Sequence, residues 1–208
     1  MPIKPIPGII KLSPAGFRIK FKDVFDCNKL FEHMKDWLLE HDWFAVTYAG
    51  EKDSKRPEGF ETMYLEKDAP GGVRDELWVL WKLQKIAEGS TYFKYHLDIE
   101  FHFLGVKKVE IIYEGKKIKA DKGEVEITVT PFIECDYNRF FQKHPFLKIF
   151  GTSLANKLLK KDLETKKLDL YREMYNFREW LKQWFKLFPS AEKPEFFHPS
   201  QAYPAWRA

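Results

Sequence analysis

The stretch Tyr95 to Phe103, "YHLDIEFHF", alternates apolar and ionisable residues without a break. Successive side chains of an extended chain leave on opposite sides, so this period of two predicts a strand with one face buried and one face wet. Phe93, Tyr95, Leu97, Ile99, Phe101 and Phe103 then point inward, and His96, Asp98, Glu100 and His102 line a polar row. Similar runs flank it: "WFAVTYA" from Trp43, "FETMYLE" from Phe60, "ELWVLWKLQ" from Glu76, "KVEIIYEG" from Lys108 and "GEVEITVTPFIE" from Gly123. The separators "KRPEG", "DAPGG", "EGS" and "EGKK" are rich in turn residues and short, which favours antiparallel neighbours joined as a meander.

Outside this block the patterns differ. "GFRIKFK", Gly16 to Lys22, has Phe17, Ile19 and Phe21 alternating with Arg18, Lys20 and Lys22, a further half-buried strand. Asp26 is placed to cap a helix through the Glu40 region, where Leu30, Met34, Trp37, Leu38 and His41 recur at helical spacing. From Phe140 the period is again helical. In the last long helix Leu170, Met174, Phe177, Leu181, Trp184, Phe185 and Phe188 share one arc, with Arg172, Glu179, Lys182 and Lys186 opposite. The expected fold class is α+β: an N-terminal strand and helix, an antiparallel sheet of about six to seven strands, and long amphipathic C-terminal helices packed on it. Residues 1–188 are read as one α+β domain, with 137–188 as its basic helical segment. Residues 189–208 are read as a C-terminal arm, because four prolines among aromatics bar a helix or an inner strand.

Composition narrows the class further. A chain of 208 residues with 44% hydrophobic content can bury a sizeable core. It has no run of eighteen apolar residues, and Pro and Lys fall where a signal peptide needs its apolar segment, so a cytoplasmic protein is expected. Cys27 and Cys135 make no disulfide framework and read as separate thiols. The net charge of +4 is unevenly spread: Tyr137 to Phe188 holds twelve Lys/Arg against five Asp/Glu, while Met1 to Asp136 holds 21 against 24. Such a concentration bears on partners, namely another protein or copies of this chain, RNA, or an anionic membrane surface.

Candidate chemistry is sparse. His96, Asp98, Glu100 and His102 are a donor set suited to zinc, iron or manganese, but members two apart stand about 6.5 to 7 Å from one another along the face. A shared metal would need ligands from neighbouring strands, and the wet side of a sheet explains the same alternation. Glu124 and Glu126 share a polar face and suit an acid/base pair if burial raises one of them. The simpler reading has Lys117, Lys119 and Lys122 neutralise them across a hairpin. No P-loop, dinucleotide-binding glycine pattern, nucleophile elbow, C-x-x-C or H-E-x-x-H occurs.

The run "LGVKKVEIIYEGKKIKADKGEVEITV", Leu104 to Val129, with Pro145-Phe146-Leu147 beyond it, resembles a family of short, uncharacterised archaeal proteins that join a strand and helix to an antiparallel sheet and a basic helical end. That resemblance implies the architecture and transfers no activity, catalytic residue or cofactor; the arm after Pro189 departs from it. The element order is also similar to the helix-grip arrangement of lipid-binding proteins, in which a sheet wraps the last helix around an apolar cavity. Trp78, Trp81, Phe93, Phe101 and Phe103 would line such a cavity or fill it.

Three functions follow. The favoured one is a non-catalytic binding or assembly protein that engages a larger partner through Lys157, Lys160, Lys161, Lys166 and Lys167 and through Phe196, Phe197, Tyr203 and Trp206 of the arm, without a cofactor. A carrier of a hydrophobic small molecule is second. A metal-dependent enzyme at His96, Asp98, Glu100 and His102 is third.

Overall fold

The computed structural model describes residues 9–11, 15–46, 57–70, 73–113, 116–137 and 160–187. In chain order its elements are β1 (Ile9–Lys11), β2 (Phe17–Phe25), α1 (Cys27–Glu40), β3 (Phe44–Ala45), β4 (Glu61–Ala69), β5 (Val73–Ile86), β6 (Phe93–Tyr113), β7 (Lys116–Cys135) and α2 (Lys160–Trp184). They form an α+β fold with one antiparallel sheet. β4 to β7 are successive neighbours, the meander expected from the turn-rich separators. The second edge of β7 pairs with β2 over Asp121 to Val129 and with β1 over Phe132 to Glu134, and that of β5 pairs with β4 and β3. Pro131 has no N–H to give a ladder. It falls in the gap between Val129, where β2 stops, and Phe132, where β1 begins.

The stretch "YHLDIEFHF" and the run "KVEIIYEG", read separately in the sequence, belong to one strand of 21 residues. What joins them is a bulge. Gly105 adopts φ 59, and Gly105 with Val106 opposes Gly123 alone, which shifts the register between Leu104 and Lys107. Glycine fits at Gly105 because a left-handed backbone costs it little. Gly123 is required for a different reason: a Cβ there would stand 2.8 Å from Val106 Cγ2 and 2.9 Å from Val106 Cα. Past the bulge, Lys108 to Tyr113 pair with β7, and from Val109 onward neither β2 nor β5 pairs beside them, so the hairpin continues as a two-stranded ribbon.

Both helices pack on the face carrying the odd-numbered residues of β6. Asp26 caps α1 as its position suggests, its side chain accepting the Lys29 N–H at 3.1 Å. Leu30, Met34 and Leu38 of α1 and Leu170, Met174, Phe177 and Leu181 of α2 are fully buried, as their helical spacing implies. Phe31 brings α1 onto the sheet, its ring 5.4, 5.1 and 5.8 Å from those of Trp81, Phe101 and Phe103. Phe177 of α2 stacks on Trp37 at 4.5 Å and meets Phe17 at 6.0 Å. Each such ring removed from water contributes about 1.5–3 kcal/mol. Polar ties fix α2 to the sheet: Trp43 Nε1 and Lys85 Nζ both donate to Glu173, and the Tyr95 hydroxyl donates to the Lys166 carbonyl. None of the described helices is long and apolar enough to cross a membrane.

Candidate docking face

His96, Asp98, Glu100 and His102 do share the side of the sheet away from the helices, and neighbouring strands supply each histidine with a partner. His96 Nε2 lies 2.7 Å from Glu134 of β7, and His102 Nε2 lies 3.0 Å from Glu76 of β5. His102 also stacks on Trp78 at 3.7 Å, and Trp78 Nε1 donates to the same Glu76. Hydrogen bonds from Trp78 and His102 hold the Glu76 carboxyl below its ordinary value. Among the described residues, no three His, Cys, Asp or Glu side chains come together in a group that could hold a metal. Trp78 therefore stands on the far side of the sheet from Trp81, Phe101 and Phe103. It does not share an interior with them, because it is one residue out of step with Leu77 and Val79, which are buried.

Glu124 and Glu126 are neutralised by β2, not by the hairpin lysines. Antiparallel pairing sets the polar side of β2 against theirs, with Lys20 Nζ 2.6 Å and Lys22 Nζ 3.7 Å from Glu124, and Arg18 3.2 Å from Glu126. The hydrogen bond from Lys20, followed by the charges of Lys20 and Lys22, holds the Glu124 carboxyl low in spite of its partial desolvation. An ionised ladder suits neither an acid nor a base poised near neutrality.

At the end of the sheet Glu66, Asp68, Arg74, Val106, Lys108 and Asp121 line an open pocket of about 420 Å³. Two ion pairs account for four of its five charges. Arg74 pairs with Glu66, and Lys108 Nζ lies 2.7 Å from Asp121 Oδ1, an ion pair without hydrogen-bond alignment. Asp121 Oδ2 accepts the Cys27 N–H at the start of α1. Burial, then the Asp121 charge, pushes the Cys27 thiol up to about 12, which leaves it no nucleophile. This arrangement anchors a helix.

α2 carries the remaining candidates. Lys160 and Lys161 are exposed. Lys166 is half-buried and donates to the Glu88 carbonyl at 2.7 Å, and Lys167 pairs with Glu164. The stretch from Lys160 to Leu187, α2 and the turn after it, holds eight basic and five acidic residues, and the ion pairs Arg172–Asp169, Arg178–Glu179 and Lys182–Glu179 lie within it and leave that excess of three unchanged. The rest of the basic excess, with Lys157, lies outside the described residues, as do Phe196, Phe197, Tyr203 and Trp206. The feature missed in the sequence is a second apolar stripe. Leu168, Tyr171 and Tyr175 are 57, 43 and 49% exposed, at spacings of three and four, outside the buried arc. Arg178 covers part of it, lying 4.5 Å over the Tyr175 ring. Counting only the charged residues of the outer arc conceals the stripe; scoring both arcs for apolar residues would have found it.

Comparison with protein-family models, curated proteins and solved structures finds no match.

Proposed function

We propose that this is a non-catalytic binding or assembly protein that engages a larger partner with the outward face of α2. The observation that carries the reading is the stripe Leu168, Tyr171 and Tyr175, set among Lys161, Arg172 and Lys182 on a helix whose other apolar arc is already buried. Exposed tyrosines with basic neighbours are the residue types that anchor protein interfaces: broad rings of low entropy cost, rimmed by charge. The alternative of a hydrophobic-ligand carrier needs space between helices and sheet, where Phe31, Trp81, Phe101 and Phe103 are instead in ring contact.

The test compares wild type with the double variant Leu168→Glu/Tyr175→Glu, each used as bait against extract from the source cells. Folding is checked by thermal melting, which exposed positions should leave nearly unchanged. Loss of a specific co-purifying protein from the variant supports the reading, whereas equal capture by both sinks it. Lys160→Glu/Lys161→Glu, run beside them against anionic vesicles and single-stranded RNA, separates the charge contribution. A strongly salt-dependent loss confined to that variant would replace the protein partner by a polyanion.

A further inference from the structure

β4 is exposed along both faces and, among the described strands, pairs on one edge only, with β5. An edge strand with apolar side chains in water is a template for another strand, and proteins commonly blunt it with bulges and charge. β4 is blunted at its ends. Register irregularities between Glu61 and Met63, and between Lys67 and Asp68, leave one regular run, Met63 to Lys67, in which Met63, Tyr64 and Leu65 are 45, 52 and 60% exposed.

We propose that this run pairs with the same run of a second copy of the chain, antiparallel about a two-fold axis through Leu65, joining the two sheets edge to edge. The sequence of the run is self-complementary in that register. Leu65 meets Leu65, Tyr64 meets Glu66 of the second copy, and Met63 meets the aliphatic stem of its Lys67. Tyr64 and Glu66 are chemically matched, since the Tyr64 hydroxyl donates to Glu66 at 2.7 Å within one strand. No like charges oppose each other. An axis at Glu66 would set two carboxylates together, and an axis at Tyr64 would bring the irregular Thr62 into the ladder, so the Leu65 axis alone uses the whole run. An isologous contact of this kind closes after two copies and does not propagate. This surface is separate from the α2 stripe, and the inference does not rest on the α2 reading.

Mass in solution, read by light scattering from about 1 to about 100 µM, a range that spans weak association, should shift from monomer to dimer. Leu65→Lys, which sets two ammonium groups on the axis, should raise the dissociation constant at least about tenfold with an unchanged melting temperature. Leu65→Cys in a Cys135→Ser background should cross-link under mild oxidation, since directly opposed positions lie within disulfide reach. Glu66→Cys should not cross-link, because its mate in the second copy is displaced along the strand. A monomer throughout the range overturns the proposal, as does a dimer that survives Leu65→Lys, or equal cross-linking at Leu65→Cys and Glu66→Cys. A dimer abolished by Leu168→Glu/Tyr175→Glu and not by Leu65→Lys would also overturn it and move the self-contact to α2.

Discussion

At Asp121 a carboxylate only 3% exposed accepts the first N–H of α1 and lies beside the Lys108 ammonium. Burying a carboxylate costs several kcal/mol unless charge and hydrogen bonds compensate, and here the partners come from another element and from the opposite strand of the ribbon. Asp121→Ala leaves the Cys27 N–H without its acceptor. We expect a loss of about 1–3 kcal/mol in urea unfolding, and a loss within error would show that water replaces the carboxylate. The sequence made Asp26 legible as the cap, because capping is local. Asp121 was invisible in this role, since its partner Cys27 is distant in the chain.

At the scale of elements the bulge in β6 decides the shape of the long hairpin. Gly123 faces Gly105 and Val106 with room for a hydrogen and no more. Gly123→Ala must push Val106 or the Leu104 carbonyl aside, at a cost of about 1–3 kcal/mol as in other overpacked sites, measurable as a lowered urea midpoint. A neutral result would mean that the ribbon beyond the bulge moves freely relative to the sheet. Alternation along "YHLDIEFHF" gave the correct inner and outer sets, from Phe93 to Phe103, because a strand's period is independent of its partners. The break at Leu104-Gly105 was read as the end of a strand because glycine signals both turns and bulges, and only pairing with β7 tells them apart.

For the whole molecule the ionisable groups define a window of stability. The Lys20 hydrogen bond holds Glu124 below its ordinary 4.5, so the unfolded chain takes up that proton first as pH falls; the stabilisation is present above about 4.5 and is lost as pH drops through the lower folded value. Burial raises Cys27 from 9.0 and Tyr92 from 10.0, each to about 12. The unfolded chain loses those protons first, so stability is full below about 9 and falls as pH rises toward 12. Urea unfolding against pH should show a plateau with both limbs. Lys20→Met should raise the Glu124 titration in carboxyl NMR, and an unmoved titration would show that the ion pair does not persist in solution.

What the sequence determined by itself was whatever depends on neighbours a few residues away: the strand alternation, the Asp26 cap, the buried arc of α2, and the turns that make β4 to β7 a meander. Tertiary structure alone decided which charges meet and which surfaces stay bare. Glu124 and Glu126 found β2 in place of the nearby lysines. Trp78 was separated from Trp81 by the side of the sheet each occupies. β4 became an edge open on both faces, and Leu168, Tyr171 and Tyr175 were left on the uncovered side of α2. The physical reason is that periodicity sets the direction of a side chain relative to its own element, whereas burial and pairing depend on strand order and register, which join segments far apart in the chain.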